Sequence, residues 1–130
     1  MMTDEAKISA EDRNLVLASA TDYIESWLAG DGERMAGCMH PELVKRSVSA
    51  DPQTGSCIVR TLSREQMVEF TRQGEGAADA GPFEISILDA YGDIASVGVF
   101  SAGYMDYLQL ARCGKRWLLL NVLWQGRPGR

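Results

Sequence analysis

Residues 104–125 read Y-M-D-Y-L-Q-L-A-R-C-G-K-R-W-L-L-L-N-V-L-W-Q, two apolar runs on either side of Gly114-Lys115. Glycine opening a two-residue loop accepts a positive φ without a Cβ clash, so this dipeptide suits a type II′ turn closing an antiparallel hairpin. That turn predicts Cys113 opposite Arg116, Arg112 opposite Trp117, Leu110 opposite Leu119 and Leu108 opposite Asn121. Side chains alternate along a strand, so the register defines two faces. One face carries Tyr104, Asp106, Leu108, Leu110, Trp117, Leu119, Asn121 and Leu123. The other carries Met105, Tyr107, Gln109, Ala111, Leu118, Leu120, Val122 and Trp124. A three-residue turn would shift the pairing and carry Asp106 onto the face of Trp124.

Both faces are mostly apolar, whereas an antiparallel sheet usually buries one face and wets the other. A chain of this length has few helices to spare. The expectation is that helices cover one face and a second copy of the chain covers the other, through Tyr107, Leu118, Leu120, Val122 and Trp124. Asp106 is the polar exception, because a buried carboxylate without partners is costly. Asn121, diagonal to it in this register, is a possible hydrogen-bond partner. Two readings stand side by side: a local structural hydrogen bond, or an acid placed in a pocket.

The 130 residues fit one domain, with loose tails at 1–8 and 127–130, and 45% hydrophobic against 24% charged residues is the balance of an ordinary globule. The net charge is −5 and the pI is about 4.8. Lysines and arginines are scattered, which disfavours nucleic-acid binding. No apolar run approaches the roughly 20 residues of a membrane span, and the acidic start M-M-T-D-E-A-K lacks a secretory core. Cys38, Cys57 and Cys113 are odd in number and widely spaced. No metal or other cofactor is expected, and free thiols point to a reducing cytoplasm.

Along the chain, Ser9 with Asp12 resembles a capping box, and Leu15, Val16, Ala20, Tyr23, Ile24, Trp27 and Leu28 recur at helical spacing up to Gly30. Asp31 caps a short second helix bearing Met35 and Met39, which His40-Pro41 is expected to end. Residues 42–50 and 56–61 read as strands around D-P-Q-T-G, and Ser63 with Gln66 forms a capping box for a third helix. Residues 74–82, G-E-G-A-A-D-A-G-P, carry no apolar anchor and read as a connector rather than a lid. Strands at 83–91 and 94–101 precede the hairpin. The order α-α-β-β-α-β-β-β-β argues for an α+β fold. Three helices pack on the concave face of a curved, mainly antiparallel sheet, giving a cone with a ligand pocket at its open end.

This layout resembles the nuclear-transport-factor-2-like superfamily, which has a cone-shaped, cystatin-like fold and includes ketosteroid isomerase and scytalone dehydratase. Within it, the chain is similar to the branch labelled "putative lumazine-binding". The likeness rests on D-Y-I-E-S-W-L-A-G-D-G-E-R-M at 22–35, C-M-H-P-E-L at 38–43, T-L-S-R-E-Q-M at 61–67 and the hairpin sequence at 104–121. It implies a pocket between the first helices and the sheet, near Tyr23, Trp27, Met35, Met39, His40, Tyr104, Asp106, Trp117 and Asn121. Ketosteroid isomerase places its catalytic base on the first strand after the helices. Here that strand offers Lys45, Arg46 and Ser47 and no carboxylate.

The candidates carry competing readings. His40, the only histidine, suits a general base because imidazole titrates near neutrality, but a histidine at a helix end also bonds a last carbonyl, and that structural role is preferred. A His40–Asp106 pair is the sharpest catalytic arrangement. Tyr23 and Trp27, one turn apart, are core residues or, opposite Trp117, a stacking platform for a flat heterocycle. Met35 and Met39 are core fillers. One of Lys45 and Arg46 points inward as an anion contact, or both sit at an exposed edge; the exposed edge is preferred. Three functions follow: a homodimeric small-molecule-binding protein, a cofactor-free acid–base enzyme using His40 and Asp106, or an interaction scaffold with a filled pocket.

Overall fold

The computed structural model describes residues 7–128. Helix α1 spans Ala10–Ala29, and α2 spans Gly32–Gly37. Strand β1 (Met39–Ala50) and β2 (Cys57–Ser63) precede α3 (Arg64–Arg72). A 3-10 turn at Glu75–Asp79 leads to β3 (Glu84–Tyr91), β4 (Ile94–Phe100), β5 (Tyr104–Cys113) and β6 (Arg116–Gly126). The six strands form one curved sheet in the order β2-β1-β6-β5-β4-β3. All neighbours are antiparallel except β1 and β6, which run parallel. The three helices lie on one face of this mixed sheet, an α+β architecture.

The caps follow the sequence. Ser63 Oγ accepts from the Gln66 amide while Gln66 Oε1 accepts from the Ser63 amide, a complete capping box. At α1 only half a box forms. Ser9 Oγ accepts from the Asp12 amide, but the Asp12 carboxylate accepts from Trp117 Nε1 at 3.0 Å instead. The buried stripe of α1 is Val16, Ala20, Tyr23 and Ile24, and it packs on Val97, Val99, Leu108, Leu110, Trp117 and Leu119 of the sheet. Leu15, expected inside, is 39% exposed.

The His40-Pro41 pair does not end α2. That helix stops at Gly37, and both residues lie within β1. Proline lacks a ladder N–H. Pro41 falls in the register break between Met39 and Val44, where neither β2 nor β6 pairs with it.

The hairpin turn is as expected: Gly114 has φ +68°, and Cys113 faces Arg116. The register then breaks. Leu110 faces Leu119, but Gln109 faces Asn121, so Leu120 is the extra residue of a β-bulge. Beyond the bulge every β6 side chain changes face relative to strict alternation. Val122 is buried among the helices and Trp124 packs against that core. Asn121 moves to the outer face, where its Nδ2 donates to Gln109 Oε1 at 3.3 Å. The bulge keeps a polar amide in water and puts a valine in its place. It also removes Val122 and Trp124 from the outer face expected for a partner; that face presents Tyr107 and Leu123, each 50% exposed.

The segment after α3 is anchored rather than loose. Asp79 Oδ2 accepts from Trp27 Nε1 at 3.0 Å, and Asp79 is buried. A Cβ on Gly76 would stand 2.0 Å from the Trp27 carbonyl oxygen, so only glycine lets the turn lie this close to α1. Of the expected tails, residues 1–6 and 129–130 lie outside the described residues. Ile8 packs on the core. Arg127 donates its amide to Gly103 O at 2.9 Å and lays its guanidinium 4.1 Å from the Phe100 ring centre. No helix of the described residues is long and apolar enough to cross a membrane.

Candidate functional site

A cavity of about 260 Å³ opens between α1, α3, the 3-10 turn and the strands β1, β2, β5 and β6. Each wall follows from a local pattern. Tyr23 and Trp27, one turn apart on α1, face it together. From the sheet, Lys45 and Ser47 alternate inward on β1, Arg60 and Leu62 on β2, and Tyr104 and Asp106 on β5. The bulge delivers Trp124, and α3 and the turn add Met67, Phe70 and Glu75.

At its centre lies a chain of three polar side chains. Lys45 Nζ donates to Tyr23 Oη at 2.7 Å, and Tyr23 Oη donates to Asp106 Oδ2 at 2.8 Å. All three are buried: Lys45 is 7%, Tyr23 2% and Asp106 4% exposed. The ammonium also lies 5.7 and 5.3 Å from the ring centres of Trp27 and Trp124, so two indoles flank it beside the Tyr23 hydroxyl. Tyr104 meets Trp124 edge-to-face with centroids 4.9 Å apart. Asp106 Oδ1 is buried and has no hydrogen-bond partner among the described residues.

Burial dominates the electrostatics. It lowers the Lys45 pKa, with the Asp106 charge pulling the other way. It raises the Asp106 pKa, against the opposing effects of Lys45 and the Tyr23 hydrogen bond. Tyr23 is held well above the ordinary phenol range by burial, then by the Asp106 charge and hydrogen bond. Tyr104 is raised by burial and by Asp106 and Glu75. One proton passed along Lys45–Tyr23–Asp106 converts an ammonium and a carboxylate into an amine and a carboxylic acid.

Four of the nine sequence candidates line this cavity: Tyr23, Trp27, Tyr104 and Asp106. Met35 and Met39 are fully packed in the core beside Cys38, whose thiol burial pushes up to about 12. Trp117 is buried in that core, its indole N–H held by Asp12. Asn121 is on the opposite face of the sheet. His40 lines no part of the cavity; its Nδ1 accepts from the Glu42 amide at 3.0 Å, a local turn bond. Asp106 is joined to Tyr23, and no hydrogen bond or ion pair joins it to His40.

Lys45 and Trp124 are site residues that the sequence reading misses: the exposed edge is preferred for Lys45, and the unbulged register puts Trp124 on the outer face. Leu43 and Lys45 are buried while Glu42 and Arg46 are exposed. Leu43 two positions earlier was the available signal, but Val44 and Val48 mark the other row equally well.

Comparison with known proteins agrees with this fold. The family described as "Putative lumazine-binding" matches residues 11–125. An NTF-2-like protein of unknown function from Silicibacter pomeroyi DSS-3 superposes with TM-score 0.69 at 19% identity, covering 97% of this chain and 100% of that one. A domain of unknown function with a cystatin-like fold from Nostoc punctiforme PCC 73102 gives 0.62 at 14%, covering 92% and 80%. A ketosteroid isomerase-like protein from Erwinia carotovora atroseptica SCRI1043 gives 0.61 at 14%, covering 91% and 98%. At these identities the superpositions establish a shared fold. No curated protein matches the chain. The chain belongs to the "Putative lumazine-binding" family.

Proposed function

We propose that this member of the family is a small-molecule-binding protein whose cavity receives a flat heterocycle bearing an N–H beside a C=O. The observation that carries the reading is Asp106, which lines the cavity and whose Oδ1 is buried without a partner among the described residues. A buried carboxylate oxygen left unsatisfied is costly, and a ligand N–H relieves that cost. Lys45, linked to the same carboxylate through Tyr23, supplies a donor for the adjacent carbonyl. Trp27, Trp124 and Tyr104 offer ring faces and edges for a planar ligand. The family's name suggests lumazine, a pteridine-2,4-dione, as the first probe.

The alternatives are less well supported. A cavity of about 260 Å³ weighs against a filled-pocket scaffold. His40 lies off the cavity lining, which weighs against an acid–base mechanism built on it with Asp106. We also propose that two copies of the chain pair through the outer sheet face around Tyr107 and Leu123, as their exposure supports.

Calorimetric titration with lumazine and with 1,3-dimethyllumazine, whose ring nitrogens carry no hydrogen, tests the binding reading. Lumazine is expected to bind about tenfold tighter or more, the effect of a hydrogen bond to a charged group. Equal affinities, or no binding of either, would contradict it.

A further inference from the structure

We propose that Lys45 is a carbonyl-capturing amine: the cavity takes small planar aromatic aldehydes or conjugated ketones and holds them as an imine on Lys45 Nζ. The inference rests on the cavity being a small-molecule site and adds a covalent step to it. Lysines are seldom buried, and those that are normally sit against a carboxylate. Lys45 does not. It forms no ion pair among the described residues, its hydrogen bond goes to a phenol, and the carboxylate stands one hydroxyl further away. Two indole rings, Trp27 and Trp124, flank the nitrogen on the wall of an open cavity. A lysine placed only for charge neutralisation needs neither the intervening hydroxyl nor the cavity.

The arrangement supplies what imine formation requires. A nucleophilic lysine must be neutral, and desolvation in an apolar pocket favours the neutral amine. The proton has a path: Lys45 passes one to Tyr23 Oη as Tyr23 passes its own to Asp106 Oδ2. The Nζ lone pair then forms the C–N bond, and the carbonyl π pair moves to oxygen. A proton shift from nitrogen to oxygen gives a neutral carbinolamine. The Asp106 proton, returned through Tyr23, leaves with that hydroxyl as water while the C=N bond forms. The product is a protonated imine that keeps the positive charge of the original ammonium opposite the Asp106 carboxylate. Aldehyde and ammonium give iminium and water, with no oxidant or reductant. Arg60, Glu75 and Tyr104 are the other titratable groups on the wall; Arg60 suits an aldehyde that also carries an acidic group.

The test uses the intact protein, 2-naphthaldehyde as probe, and sodium cyanoborohydride to trap any imine as a stable secondary amine. The chain has three lysines, Lys7, Lys45 and Lys115, so peptide mapping assigns the adduct without ambiguity. The expected result is an adduct at Lys45 formed faster than at Lys115 and suppressed by excess lumazine. Lys45→Arg removes it and leaves labelling of Lys7 and Lys115 unchanged. Tyr23→Phe keeps the ring but breaks the relay, and slows labelling about a hundredfold or more, the scale of general acid–base catalysis. Circular dichroism of both variants checks the fold. No adduct at Lys45, or one formed no faster than at Lys115, overturns the proposal. If lumazine still binds in that case, the imine alone is lost and the pocket reading stands. A Lys45 adduct without lumazine binding supports the imine and removes the heterocycle instead.

Discussion

Asp106 faces Trp124 directly across the β5–β6 ladder. Uninterrupted pairing from the turn at Gly114 would have set it against Leu123. The single extra residue, Leu120, thus decides what surrounds the buried acid. It exchanges a leucine for an indole, and that indole is one of the two that flank Lys45.

This register gives a direct contrast between neighbours on β6. Trp124→Leu should weaken lumazine binding about tenfold, the contribution of one aromatic contact. Asn121→Ser, on the far face, should leave affinity unchanged. Titration of both variants by calorimetry checks this, and the opposite ranking would mean that the strand is not bulged.

The buried trio makes a coupled stability prediction. Lys45→Met or Asp106→Leu alone leaves an uncompensated buried charge and should cost about 3 kcal/mol. The double variant should recover most of that loss in urea unfolding, because it removes both charges. The pH dependence follows from the shifts. Asp106 has a raised folded pKa, so its stabilising contribution is complete below the unfolded value of 3.8 and is lost as pH rises through the folded pKa. Lys45 has a lowered folded pKa, so its contribution is complete above 10.5 and is lost as pH falls through the folded pKa. The native protein should therefore be weakest, relative to the double variant, in the window between the two folded pKa values. Parallel pH profiles would contradict this.

Gly76 fixes the rim of the cavity to α1. Gly76→Ala drives a Cβ into the Trp27 carbonyl and should cost about 2 kcal/mol, within the range for overpacking. Gly74 has a positive φ of 81° but open space around it, so Gly74→Ala should cost about 1 kcal/mol. Thermal unfolding of the two variants compares them.

Leu123→Asp places a charge in the proposed contact between copies without touching the cavity lining. It should convert a dimer to a monomer in sedimentation velocity and leave lumazine affinity unchanged. A native chain that sediments as a monomer would remove the contact from the account.

Much of this architecture could be read directly from the chain, because each signal was local. Ser63 with Gln66 announces a helix start through two hydrogen bonds three residues apart, and Gly114-Lys115 announces a turn through one backbone angle. The site is less legible because its determinants are not local. In L-L-L-N-V at 118–122, three identical leucines hide which residue is extra; only burial of Val122 against exposure of Asn121 reveals the bulge. On β1, Leu43-Lys45-Ser47 and Val44-Arg46-Val48 are equally mixed rows, so alternation cannot say which lysine or arginine turns inward. The partners that make Lys45 tolerable inside, Tyr23 and Asp106, lie 22 and 61 positions away in the chain. Gly76 and Asp79 look like connector residues until the Trp27 indole and carbonyl are placed beside them.

The central claim is that the Lys45–Tyr23–Asp106 cavity holds a small flat ligand. Mass spectrometry of freshly purified protein with added lumazine, native against denaturing, tests it most directly. The account predicts a native mass exceeding that of the bare assembly by one small ligand per chain, lost on denaturation and absent from the Lys45→Met/Asp106→Leu double variant. A native mass equal to that of the bare assembly, with lumazine present in excess, would contradict it.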